Sequence, residues 1–150
     1  MKTAIAAAAL AALLPAAPLA EERATTKEAE GLVKNAVGFL KKEGKPKAFA
    51  AFDDPRGPFT YRDLYIMVYD YDGKCVSHGQ KKDRIGKSLI ADKDPDGKPF
   101  VRERVALVKA QGKAWQEYKF MNPATKKVEQ KVAYCEGVEG VIVCSGAYKP

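Results

Sequence analysis

The stretch Asp63-Leu64-Tyr65-Ile66-Met67-Val68-Tyr69-Asp70, followed by Tyr71-Asp72-Gly73-Lys74, decides how the rest of the chain must be arranged. Leu64 to Tyr69 is apolar on both faces, a pattern that belongs to a strand covered above and below. Asp72-Gly73 is a tight-turn pair, so Lys74 to His78 returns antiparallel as a second strand. A sheet that starts this way has two faces to bury, and the flanking sequence must supply both covers.

Upstream, Thr25 and Glu28 have capping-box spacing. Ala29, Leu32, Val33, Ala36, Val37 and Leu40 then keep helical spacing until Gly44 and Pro46 stop it. A shorter helical piece is expected around Lys47 to Phe52, and Asp53 to Pro58 is turn chemistry. Downstream, residues 79 to 99 are polar and irregular, and a helix is expected from about Phe100 to Ala110, closed by Gly112. Three strands complete the chain: Ala114 to Phe120, Val128 to Glu136 and Val141 to Tyr148. The expected fold class is α+β. A five-stranded antiparallel sheet carries the long N-terminal helix on one face and a loop-plus-helix layer on the other. Irregular chain packs less completely than a helix, so a cavity is expected beneath that second layer.

The first twenty residues differ from the rest. Lys2, the uncharged run Thr3 to Leu14, then Pro15, Pro18 and Leu19-Ala20 read as a cleaved signal peptide over residues 1–20. The competing reading is an uncleaved anchor, which needs roughly 20 apolar residues. This run is shorter and is broken by prolines. Residues 21–150 are then a single domain, with its core at about 25–149, placed in the periplasm. The chain stops just after its last strand, so no output module of its own is expected, and any signal would pass to a membrane-bound partner. The net charge of +7 comes from scattered pairs such as Lys41-Lys42, Lys81-Lys82 and Lys126-Lys127. With export, this favours a soluble surface that attracts small anions and excludes nucleic acid as a partner.

The order of elements and several local strings resemble the single Cache domains, extracytoplasmic relatives of the PAS fold. The strings are Asp63 to Asp70, Asp72-Gly73-Lys74, His78-Gly79, Ile85-Gly86-Lys87, Asp96-Gly97-Lys98 with Phe100-Val101, Trp115 with Tyr118, Asn122-Pro123, Lys131 with Tyr134, and Ser145-Gly146-Ala147-Tyr148. The resemblance implies a ligand-binding role without catalysis and without a cofactor. It also implies a pocket for a small anionic metabolite, often a short organic acid, between the sheet and the loop layer. Lys131 would point into that pocket and pair with a ligand carboxylate; the alternative is an exposed lysine on a half-wet strand.

The other candidate ligand-binding residues are Tyr65, Met67, His78, Trp115 and Tyr118. Tyr65, Met67 and Tyr69 share one strand face, which either meets the ligand or packs under the long helix. Trp115 and Tyr118 are an odd number apart, so only one lines the cavity unless a bulge intervenes. His78 is expected at the pocket rim as a hydrogen bonder. Alternation puts Cys75 and His78 on opposite faces, which argues against a thiol–imidazole nucleophile. No other nucleophile–base pair stands out.

Asp92, Asp94 and Asp96, with Gly97 and then Glu103, match the EF-hand loop pattern, so a calcium-binding domain is the alternative function. Against it, no incoming helix precedes the loop and Pro99 sits where an apolar residue is usual. Cys135 and Cys144 lie equally far from the Glu139-Gly140 turn, so they either form a cross-strand disulfide or remain buried thiols. Dimerisation through the long helix stays open.

Overall fold

The computed structural model describes residues 23–150; the expected leader lies outside the described residues. The order is α1 (Thr26–Glu43), α2 (Lys45–Phe52), β1 (Met67–Asp70), β2 (Cys75–His78), a short 3-10 turn (Lys82–Arg84), α3 (Phe100–Gln111), β3 (Lys113–Met121), β4 (Val128–Val138) and β5 (Val141–Tyr148). The strands form one antiparallel sheet in the order β2-β1-β5-β4-β3. Among the described residues, no helix is long and apolar enough to cross a membrane.

Helix α1 forms as its sequence dictates. The Thr25 side chain accepts from the Glu28 amide while the Glu28 carboxylate takes the Thr25 amide. Two amides that the helix cannot satisfy internally are thereby paired. Ala29, Val33, Ala36, Val37 and Leu40 are buried on one side. Val33, Ala36, Val37 and Leu40 cluster with Ile66, with Val68, Tyr134, Val141 and Val143 on the sheet, and with Phe52 of α2 and Phe59, while Ala29 packs with Leu64 and Ala147. Complete burial of Val33 and Leu40 contributes ~1.5–3 kcal/mol each.

The opposite face carries Tyr65, Met67, Tyr69, Cys75, Tyr118, Ala133, Cys135, Ile142 and Cys144. Helix α3 lies over it through Phe100, Val101, Val105 and Val108 and ends at Gly112, whose φ of 76° is the left-handed conformation glycine adopts freely. The α+β sandwich expected from the sequence is the structure found.

Strand β1 starts at Met67, three residues later than the apolar run. Residues 64–66 are extended and buried but pair only locally, through a Tyr61–Leu64 bridge and a bond from the Gly79 amide to the Ile66 carbonyl. The hairpin turn is held by Asp70, whose Oδ1 accepts from the amides of Asp72 and Lys74. In β2 the register slips between Val68 and Tyr69, so that Met67 faces His78 while Tyr69 faces Cys75. Met67 and Tyr69 share a face, and this bulge therefore puts Cys75 and His78 on the same face, correcting the simple alternation. The two do not react with one another: the Cys75 thiol donates to the Ser77 carbonyl, and burial raises it to about 11. Cys135 and Cys144 are cross-strand partners and form a disulfide between β4 and β5.

Candidate functional site

The face under α3 is not uniformly apolar. Lys131 on β4 is completely buried, and its Nζ donates to the Tyr65 hydroxyl at 2.9 Å. Its remaining surroundings are ring faces: Tyr65 at 4.3 Å, Tyr148 at 4.8 Å and Phe120 at 5.5 Å. Gly146 on the neighbouring strand leaves room for the lysine stem, since a Cβ there would stand 2.8 Å from Lys131 Cε. Cation–π contacts stabilise a desolvated ammonium by about 2 kcal/mol or more each, and its dehydration costs several, so the rings offset much of that cost without supplying a counter-ion. Burial alone depresses the Lys131 ammonium, and the Tyr118 and Tyr65 phenols outweigh burial and lift it. No carboxylate among the described residues pairs with it.

His78 sits beside this group, its ring 5.1 Å from that of Tyr65. Its Nδ1 accepts from the amides of Gln80 and Lys81 at 3.2 and 2.9 Å. The ring proton is therefore on Nε2, which is buried and has no hydrogen-bond partner among the described residues. Burial, then Lys131, Arg84, Lys81 and Arg104, depress this imidazole to about 3, so it is a neutral donor at ordinary pH.

Arg104 on α3 is the second buried cation, 1 % exposed. Its Nε donates to Gln116 Oε1 at 3.1 Å, and Gln116 in turn donates to the Phe100 carbonyl at 2.8 Å. Nη1 and Nη2 have no hydrogen bond of good geometry and lie against the rings of Tyr118, Tyr69 and Phe100 at 4.9, 5.2 and 5.7 Å. Both cations act on Tyr118, whose hydroxyl they hold below its ordinary value despite burial. Chemically the cluster is a set of hydrogen-bond donors lined with aromatic rings, which suits an anion with a small carbon skeleton.

Of the residues singled out from sequence, Tyr65, His78, Tyr118 and Lys131 converge here. Met67 lies on the same face as core, its sulfur receiving the Tyr69 hydroxyl at 3.8 Å. Trp115 does not join them. Strand alternation turns it to the α1 side, where it packs on Tyr134 at 4.8 Å and is 45 % exposed. The open cavity expected beneath the loop layer is also corrected, because Phe100, Tyr118 and Phe120 stack into much of that space at 4.8–6.1 Å. Two clefts flank the cluster. One of about 170 Å³ lies between Tyr65, Gln80, Pro123 and Ala124. The other, of about 130 Å³, lies between Arg84, Asp94, Phe100 and Phe120.

Arg104 and Gln116 are the functional candidates that sequence reasoning missed. The signal was available: Arg104 interrupts the apolar stripe Phe100, Val101, Val105, Val108 at a position that helical spacing requires to be buried.

The acidic loop does not gather its carboxylates. Asp92 pairs with Arg84, Asp96 with Lys119 and Glu103 with Lys98. Asp94 is a structural cap, accepting from the amides of Asp96, Lys98 and Lys119. Among the described residues there is no group of three or more acidic, histidine or cysteine side chains placed to hold a metal ion.

The five-stranded antiparallel sheet with helices on both faces is a PAS-like, Cache-type fold. The chain belongs to the single Cache domain 2 family, whose model matches residues 17–149. It is 36% identical over 73 residues to the sensor histidine kinase MctS of Rhizobium johnstonii, a match covering 49% of this chain and only 16% of that kinase. In fold it is similar to a Cache chemosensory domain solved for its recognition of carboxylic acids (TM-score 0.73, 21% identity, 83% of this chain and 93% of that one). It is also similar to a methyl-accepting chemotaxis protein of Vibrio parahaemolyticus (TM-score 0.71, 20% identity, 81% and 86%).

Proposed function

We propose that this domain senses a small organic acid in the periplasm, binding its carboxylate between Lys131 and the Nε2–H of His78, without turnover. The observation that carries this reading is the completely buried Lys131 ammonium, which has a phenol and three ring faces around it and, among the described residues, no carboxylate. A buried cation without a counter-ion is a standing cost that a bound carboxylate removes. The orphan Nε2–H offers the second hydrogen bond. Tyr65 borders both Lys131 and the cleft at Gln80 and Pro123, which makes that cleft the approach to the lysine. The similarity to a carboxylic-acid-recognising Cache domain and to a sensor kinase supports the same reading, with the response passed to a membrane-bound partner. The calcium alternative is not taken up, because its four carboxylates are spent on separate partners.

The test is a thermal-shift and calorimetric screen of acetate, propionate, lactate and pyruvate in a carboxylate-free buffer, on the wild type and on Lys131→Met. Binding that Lys131→Met abolishes while the variant melts as high as or higher than wild type is the expected result. Unchanged affinity in that variant refutes the assignment.

A further inference from the structure

Resting on the reading above, the geometry points to a short dicarboxylate as the ligand, one carboxylate taken by Lys131 on β4 and the other by Arg104 on α3. Two cations are buried under the same layer, and neither has a carboxylate partner among the described residues. Lys81 adds to the excess; it and Arg84 stand over the ring of Phe120, at 5.2 and 5.5 Å, as Lys131 does. All four act on the imidazole of His78, and of them Arg84 is matched by Asp92. A single carboxylate would leave one buried cation uncompensated, and a dianion would leave none.

The second step is geometry. Lys131 is enclosed by Tyr65, Phe120 and Tyr148, and Arg104 by Tyr69, Phe100 and Tyr118, two sets with no ring in common. The cations therefore stand in separate aromatic cages on two layers, with the buried Tyr118 phenol acting on both. This arrangement suits two carboxylates joined by a short carbon chain better than a compact anion such as phosphate, whose oxygens all sit on one atom. Each cage has unspent donors: Nζ with the neighbouring Nε2–H of His78 at one end, and Nη1 and Nη2 at the other. Such a ligand would tie α3 to the sheet, since its two ends sit on different layers.

The experiment compares malonate, succinate and glutarate with propionate and with succinamate, which keeps the shape of succinate but lacks its second charge. Calorimetry is done on the wild type, Lys131→Met and Arg104→Met. A dicarboxylate should bind at least about 30-fold tighter than succinamate or propionate, the loss expected when one buried charge pair is broken. Arg104→Met should erase that preference, bringing succinate to the affinity of succinamate and propionate in the same variant. Equal affinity for succinate, succinamate and propionate, all lost in Lys131→Met, would overturn the dicarboxylate inference and leave the Lys131 site standing. Binding that survives Lys131→Met, or no binding of any acid, would overturn both. Should Arg104→Met fail to fold, the succinate-to-succinamate ratio on the wild type decides alone, a ratio near one being the refutation.

Discussion

Acidification should destabilise this protein through His78 in a way that one substitution removes. The imidazole is depressed from 6.5 to about 3 by burial and by the cations Lys131, Arg84, Lys81 and Arg104. Its Nδ1 also accepts two backbone amides, both of which a second ring proton would displace. In the unfolded chain the same ring takes a proton near 6.5. Below that pH the unfolded state binds a proton that the folded state refuses. The His78 contribution is thus intact above about 6.5 and is lost as the pH falls towards about 3. The slope is about 1.4 kcal/mol per pH unit in the middle of the window. Between about pH 6.5 and about pH 4.5 the wild type should lose about 2 kcal/mol from this residue alone. Urea unfolding of the wild type and His78→Gln across that range isolates the effect, because other acid-sensitive groups are common to both proteins. Parallel stability curves, or an imidazole that titrates near its ordinary value by NMR, would refute the burial and tautomer assigned to His78.

Two further outcomes follow from the frame of the site. Replacing Cys135 and Cys144 together by serine opens a loop of sequence separation 9 and should lower stability by about 2.5 kcal/mol, read as a fall in the urea midpoint; an unchanged midpoint would mean the bond is not formed in solution. Asp94→Ala removes the acceptor of three backbone amides and should cost about 2–3 kcal/mol, while added calcium should leave the melting temperature of the wild type where it was. A calcium-dependent rise in the wild type that Asp94→Ala abolishes would restore the loop as a metal site.

The architecture was legible because local signals agreed with one another. The capping box, the unbroken stripe of α1, the Asp72-Gly73 turn and the Glu139-Gly140 turn each fixed an element, and the centre of the last of these set the register that pairs Cys135 with Cys144. The candidate site was legible only in part. Lys131 came from the family resemblance, Tyr65 was placed on one face with Met67 and Tyr69 without the sequence choosing that face, and strand alternation turns Trp115 away. Two things escaped that rule. The bulge in β2 depends on contacts with another element, since the Ser77 hydroxyl and the His78 amide both bond to Asp53 Oδ1 at the end of α2. Arg104 stands at a buried position of the α3 stripe, but nothing in the sequence shows that Gln116 and the rings of Tyr118 and Tyr69 on the sheet receive its guanidinium.

That bulge is what makes a donor cluster out of a hydrophobic sheet. A regular β2 would carry His78 to the side where Ser77 and Asp53 meet, leaving Lys131 with Tyr65 alone. One extra residue in the strand puts the imidazole on the lysine's side, and the amides of Gln80 and Lys81 then fix which nitrogen holds the proton. Each step works against stability: a slipped ladder and, among the described residues, an unpaired Nε2–H and two cations without counter-ions. Replacing such groups by apolar residues of similar volume is commonly neutral or stabilising. Folding alone does not account for their joint presence on one face, surrounded by aromatic core, and the proposed recognition of an anion would account for all three.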